Sequence, residues 1–288
     1  MVCLPVPVLL ATLALICQSE HSPFSEDAQM DIRTYAAPYW GLHYSRIDNA
    51  AIQAASNSLL LNFAFDHEGT CFQEWLDDAK DLTHSLPPWD LRWRDLAAVQ
   101  SSSRSPLLAA SIYGLLPLLE HMHLQALARG RQIDFNEKNI DDASAIYLSA
   151  RYGNPATLDF LIAQHCPVNT SGGRYGNNLQ AAAFHGHGQA LQILLDNGAD
   201  PFGPGKFEDV LQAAIAGGCE DLIQRLLSRE DIASRCNLKA ALMSLSYAGH
   251  HSAVSVLLDR DNLKQAVSEP NNLCTSIQIL RYDLLAVN

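Results

Sequence analysis

Five glycines occupy the same place in a recurring unit, and the spacing of that unit limits the fold more than any other feature. Gly153, Gly186, Gly218 and Gly249 each follow an apolar residue by seven positions: Ile146, Leu179, Leu211 and Leu242. Each precedes an apolar pair by eight: Leu161-Ile162, Leu194-Leu195, Leu226-Leu227 and Leu257-Leu258. Gly114 fits the same template, with Leu107 before it and Met122 after it. The leading residues at 146, 179, 211 and 242 lie 33, 32 and 31 positions apart. The wider step from 107 to 146 places a short insertion around Ala126–Asn136. A period of this length marks a small structural unit that cannot bury its apolar face alone and must stack on its neighbours.

The interior of each unit reads as two helices. Two residues before each leading apolar position stand Ser105, Ser144, Asn177, Asp209 and Ala240. Four of these five are residue types whose side chains cap a helix N-terminus by accepting a backbone N–H. A helix of about ten residues is therefore expected from each cap to the glycine, which takes the left-handed conformation that ends a helix. The second helix carries apolar residues at i, i+3, i+4, as in Leu191/Leu194/Leu195 and Ile223/Leu226/Leu227, which makes one buried stripe. Small residues crowd the first helix: Ala109-Ala110, Ser149-Ala150, Ala181-Ala182-Ala183 and Ala213-Ala214. They let neighbouring helices approach closely. The expected fold class is all-α, with about five degenerate helix–turn–helix repeats.

The stretch NNLQAAAFHGHGQALQILLDNGAD at residues 177–200 resembles the ankyrin repeat, whose pattern runs T-P-L-H-x-A-A-x-x-G-H to a closing G-A-D. Ser105-Pro106-Leu107 matches the family opening in the first unit. The resemblance covers about residues 103–260 and implies an α-solenoid that presents a concave protein-binding surface. Where the family keeps a histidine after the leading Leu, this chain has Leu108, Tyr147, Gln180, Gln212 and Met243. The hydrogen bonds of that histidine should be absent or taken over by Gln. Gly186-His187 falls where the family keeps Gly-His, so His187 reads as a structural hydrogen-bonding residue and His185 as a variable surface position. No metal site is expected from FHGHG, because further ligands would have to converge on it.

Residues 1–100 do not repeat. They hold apolar helical runs ended by Pro87-Pro88, and SSSRS at 101–105 marks a joint. A helical N-terminal subdomain over 1–100 would cap the open end of the stack, with repeats over 101–265 and a tail or partial repeat over 266–288. The run Tyr35-Ala36-Ala37, Tyr39-Trp40-Gly41 and His43 is similar to the region that joins the NTPase of fungal NACHT-type signalling proteins to their ankyrin tails. That resemblance implies a sensor or regulatory segment. No G-x-x-x-x-G-K-[ST] is present, so no nucleotide role comes with it. Val2 to Cys17 is uncharged but lacks a basic n-region, and it reads as a buried helix near residues 9–18. The alternative is a signal peptide over 1–19 and a secreted protein.

The formal net charge is −12 and no Lys/Arg cluster occurs, so nucleic acid is not the expected partner. No span across a membrane is expected. The seven cysteines are widely spaced without C-x-x-C, which suits buried, reduced thiols. No G-x-S-x-G or H-E-x-x-H supports catalysis, so no cofactor is expected; an enzyme in the first hundred residues is the alternative. The expected role is a non-enzymatic, cytoplasmic protein-interaction module for an unidentified protein partner. The pairs before the turn glycines should face the groove: Ile112-Tyr113, Arg151-Tyr152, Phe184-His185 and Tyr247-Ala248. The loop tips Arg174-Tyr175 and Lys206-Phe207 should border it. As binding residues, these side chains should be largely exposed in the free chain.

Overall fold

The computed structural model describes residues 92–102 and 105–258. The N-terminal subdomain, the helix expected at 9–18 and the tail at 266–288 lie outside those residues, apart from 92–100. The described residues fall into two compact units, divided between Cys166 and Pro167. Each is described separately.

The first unit holds α1 (Arg92–Ser102), α2 (Pro106–Tyr113), α3 (Leu116–Ala128), α4 (Ala145–Tyr152) and α5 (Pro155–Ala163). The second holds α6 (Asn178–Phe184), α7 (Gly188–Asp196), α8 (Val210–Gly217), α9 (Glu220–Ser228), α10 (Glu230–Ala233), α11 (Leu238–Ala248) and α12 (His251–Leu258). Among the described residues there is no strand, only two isolated bridges, Lys138–Ser144 and Ser171–Asn177, each closing the turn before a cap. In the first unit α2 packs against α1, α3 and α4, and α5 against α3 and α4. In the second, α6 packs on α7 and α8, α8 on α9 and α11, and α12 on α9 and α11.

The repeat template maps directly onto these elements. Ser144, Asn177 and Asp209 each accept a hydrogen bond from the backbone N–H three residues on, at Tyr147, Gln180 and Gln212. Each such cap is worth about 1 kcal/mol. Ser105 stands at the cap position of α2 but makes no side-chain bond there. The fifth unit departs from the template, because Asn237 rather than Ala240 caps α11 and accepts from the Ala240 N–H. That helix therefore starts three residues early and runs for 11 residues. The small residues of the first helices are sealed, with Ala110, Ser149, Ala150, Ala182 and Ala214 all at 0% exposure. The stripe of the second helices is buried at Leu158, Leu161, Leu191, Leu194, Ile223, Leu226, Leu227, Val254 and Leu257. The insertion at 126–136 lengthens α3 to 13 residues, against nine in α5 and α7.

All five template glycines have positive φ, between 67° and 78°. At Gly186 φ is 74°, and a Cβ there would stand 2.8 Å from the Cys219 sulfur. Gly186→Val is expected to cost about 1–2 kcal/mol or more, because a β-branched residue resists positive φ and the sulfur blocks relaxation. The midpoint of urea unfolding should fall accordingly. An unchanged midpoint would mean that the left-handed turn is not required.

Candidate functional site

At two of the turns the residue after the glycine ties one repeat to the one before it. In the first unit the Asn154 side-chain amide donates to the carbonyls of Ser111 and Ile112, at 2.9 and 3.1 Å. In the second, the Cys219 thiol donates to the Phe184 carbonyl at 3.6 Å. His187 holds this same position after Gly186. Among the described residues, no three His, Cys, Asp or Glu side chains converge in a way that would hold a metal.

The residues expected to face a groove divide sharply by burial. Tyr247 is 92% exposed, Arg174 and Lys206 are exposed, and Tyr152, Phe184, His185 and Phe207 are half-buried. Tyr113, Arg151 and Tyr175 are buried at 2–3% and Ile112 at 1%, so the expected exposure fails for them. Tyr113 ends α2, which is packed between α1 and α4 and encloses the ring. Arg151 is drawn inward by a carboxylate on α1. Tyr175 is covered by a loop from the next repeat. His185 is half-buried, its ring packed edge-on against Tyr175 and Phe184, 5.2 Å from each.

In the first unit, the Arg151 guanidinium lies 2.8–2.9 Å from both oxygens of Asp95, and the Tyr152 hydroxyl donates to the same carboxylate at 2.6 Å. Arg92 and Arg151 both lie against the Tyr152 ring, 5.0 and 5.5 Å from its centroid. Burial pushes the Asp95 carboxyl above its ordinary 3.8, against the pull of Arg151 and the Tyr152 hydroxyl. Burial, followed by the Asp95 charge, pushes Tyr152 well above 10, so the phenol keeps its proton and acts as a donor. The cluster fastens α1 to α4. Tyr152 therefore serves an internal bond before any partner.

The second unit carries a built loop. Residues 200–208 are held at several points. Asn169 accepts from the Asp200 N–H and donates to the Gly198 carbonyl. Asn177 donates to the carbonyls of Gly203 and Pro204. Gln180, only 1% exposed, bonds both the N–H and the carbonyl of Phe207 at 2.9 Å. This is the Gln substitution expected at the family's histidine position. Gly205 lies against Gly176 so closely that neither could carry a Cβ without displacing the other strand of the loop or Gln180. The Lys206 N–H donates to the Tyr175 carbonyl at 3.1 Å. The result is an aromatic stack: Tyr175 and Phe184 at 4.5 Å, Phe184 and Phe207 at 5.8 Å, interplanar angles of 27° and 20°. The Lys206 ammonium sits 5.5 and 5.6 Å from the Tyr175 and Phe207 ring centres.

The thiols are poor nucleophiles. Burial pushes Cys166 up to about 11 and Cys236 up to about 12, and it raises Cys219 above 9.0. All three are free thiols. Cys3, Cys17, Cys71 and Cys274 lie outside the described residues.

Residues 107–204 match the family model for ankyrin repeats, in three copies. These repeats are ankyrin repeats. The fold class is an all-α ankyrin-repeat solenoid; past the matched region the helix capped by Asp209 keeps the cap-and-glycine geometry, and α11 keeps the turn glycine with its cap moved to Asn237. The chain is 29% identical over 167 residues to the azaphilone pigments biosynthesis cluster protein L of Monascus ruber, covering 58% of this chain and 27% of that protein. It is 24% identical over 168 residues to a transient receptor potential cation channel subfamily A member 1 homolog of Caenorhabditis elegans, covering 57% of this chain and 13% of that one. The chain thus spans well under a third of the curated relatives it matches. A crystal structure of the human ASB11 ankyrin repeat domain aligns with a TM-score of 0.44 at 21% identity, over 54% of this chain and 68% of that one. The run from Tyr35 to His43 lies outside both the described residues and the family match. No helix among the described residues is long and apolar enough to cross a membrane. Ankyrin repeats point to a protein–protein interaction module.

Proposed function

We propose that this chain is a non-enzymatic protein-interaction module and that the second unit supplies its contact surface. The observation that carries the reading is a row at one register. The position two before the turn glycine is Phe184, Ala216 and Tyr247 on three successively packed first helices, and none of the three is buried. Tyr247 in particular leaves 92% of its surface in water. An aromatic ring so placed contributes little to the fold, while aromatic residues dominate binding hot spots. The chain acts in the cytoplasm, with residues 1–19 retained. The finer role, the sensor or regulatory part of a larger signalling protein, follows from the resemblance at Tyr35–His43.

The test is affinity capture by the full chain with mass spectrometry, comparing the wild type with the Phe184→Ala/Tyr247→Ala variant. A specific partner should be recovered by the wild type and bound about 2 kcal/mol more weakly by the variant, with helical content retained. Capture that is indifferent to the double change would remove this face from the reading, and no specific partner at all would remove the reading itself. The intact mass of the protein from its native source decides whether residues 1–19 are retained.

A further inference from the structure

The stack of Tyr175, Phe184 and Phe207 is flanked by charge of one sign in a chain of the other. The protein carries 31 acids and a formal charge of −12, yet no Asp or Glu occurs from Pro167 to Leu195. Lys206 is exposed beside the stack, Arg174 is exposed next to Tyr175 in the chain, and neither is paired with a carboxylate among the described residues. Of the acids on the adjoining loop, the Asp209 carboxylate is buried and caps α8, and the Asp200 carboxylate accepts from the Phe202 N–H. Glu208 is exposed to solvent.

The loop that presents Lys206 and Phe207 is already fixed. Gln180, Asn177 and Asn169 hold its backbone, Arg235 lies 4.1 Å over the Phe202 ring, and Gly205 rests on Gly176. A partner meeting it has little loop ordering to offset, which is the condition under which a small contact surface binds well. Phe184 and Phe207 are half-buried, so part of each ring remains in solvent above the buried Tyr175.

We propose that Arg174, Phe184, Lys206 and Phe207 form a preorganised docking shelf for an acidic peptide segment that carries an aromatic side chain. The aromatic side chain packs on Phe184 and Phe207, and the flanking carboxylates meet Lys206 and Arg174. This rests on the reading of the chain as an interaction module and names the chemistry of its partner.

The probe is a phage-displayed library of random 12-residue peptides selected on the full chain. Enriched clones should combine Asp or Glu with Trp, Phe or Tyr. A fluorescein-labelled peptide from such a clone should bind at least tenfold more weakly to the Arg174→Glu/Lys206→Glu variant, and its affinity should fall as salt rises. Both residues are exposed, so the variant's circular dichroism and melting temperature should match the wild type. Enrichment of basic or uncharged peptides, no enrichment, or binding that survives the charge reversal would each overturn the shelf. The module reading is decided separately. A partner captured through Phe184 and Tyr247 and kept by the charge-reversed variant would sink the shelf alone, whereas the absence of any captured partner would sink the module reading.

Discussion

Asp95→Ala is expected to destabilise the first unit by about 3–5 kcal/mol, the usual cost of leaving one member of a buried ion pair alone. Both side chains are almost wholly enclosed, at 3% exposure for Arg151 and 4% for Asp95. The carboxylate accepts from the guanidinium and from the Tyr152 hydroxyl together, so its loss strands a cation and orphans a phenol. The exposed pair Lys138–Asp142, at 2.9 Å, supplies the contrast, and Lys138→Ala should cost less than about 1 kcal/mol. Urea unfolding of the two variants would show the difference directly. A second comparison separates charge from packing. In Asp95→Leu/Arg151→Met both charges are gone, and much of the loss should be recovered. If the Asp95 variant unfolds like the Lys138 variant, the cluster does not fasten α1 to α4.

The same carboxyl fixes a sign for the pH response. Burial raises its folded-state pKa above 3.8, so between 3.8 and the folded midpoint the native chain holds more protons than the unfolded one. The stabilisation from this group is fully present below about 3.8 and is lost as pH rises through the folded midpoint. A carbon-13 titration of the Asp95 carboxyl should accordingly place its midpoint above 3.8.

What the sequence displays is whatever repeats. The turn glycines and the caps at Ser144, Asn177 and Asp209 are legible because each follows from local chemistry at a fixed offset. Asn237 escapes that reading, since the fixed register points to Ala240 and the short helix Glu230–Ala233 shifts the start of α11. Arg151 and Tyr175 escape it for another reason. Arg151 stands at an expected contact position, but its partner lies 56 residues away on a helix outside the repeat, and no periodicity announces such a pair. Tyr175 is covered by a loop some thirty residues downstream, and the repeat pattern does not announce which side chains that loop lays over it. Gln180 is legible in part: its substitution for the family's histidine is visible, while the backbone of Phe207 as its target is not. Surface positions such as Lys206 and Tyr247 are read from register alone, and there the exposure agrees.

Gly217 is the residue whose role is hardest to read from sequence, and its replacement carries the other large expected effect. The pair Gly217-Gly218 contains one turn glycine, Gly218, at φ 72°; Gly217 closes α8 and is not among the residues with positive φ. Its need for hydrogen in place of a methyl group comes from elsewhere. A Cβ on Gly217 would overlap the Phe184 carbonyl group, which is backbone and cannot swing aside. That carbonyl ends α6, and α6 and α8 are packed helix to helix, with Ala181, Ala182, Ala213 and Ala214 of the two helices all at 0% exposure. A methyl group at 217 must therefore pry the two helices apart, and it also pulls the Phe184 carbonyl from the Cys219 thiol. Overpacking in a tight core costs about 1–3 kcal/mol and more where backbone must move. Gly217→Ala is expected to cost at least about 3 kcal/mol, although alanine is the better helix former. The neighbour Ala216 is exposed, and Ala216→Ser should stay within about 0.5 kcal/mol of the wild type. Thermal unfolding of the two variants decides the matter. A Gly217→Ala protein as stable as wild type, or more stable through its helix propensity, would mean that α6 and α8 do not touch at the Phe184 carbonyl.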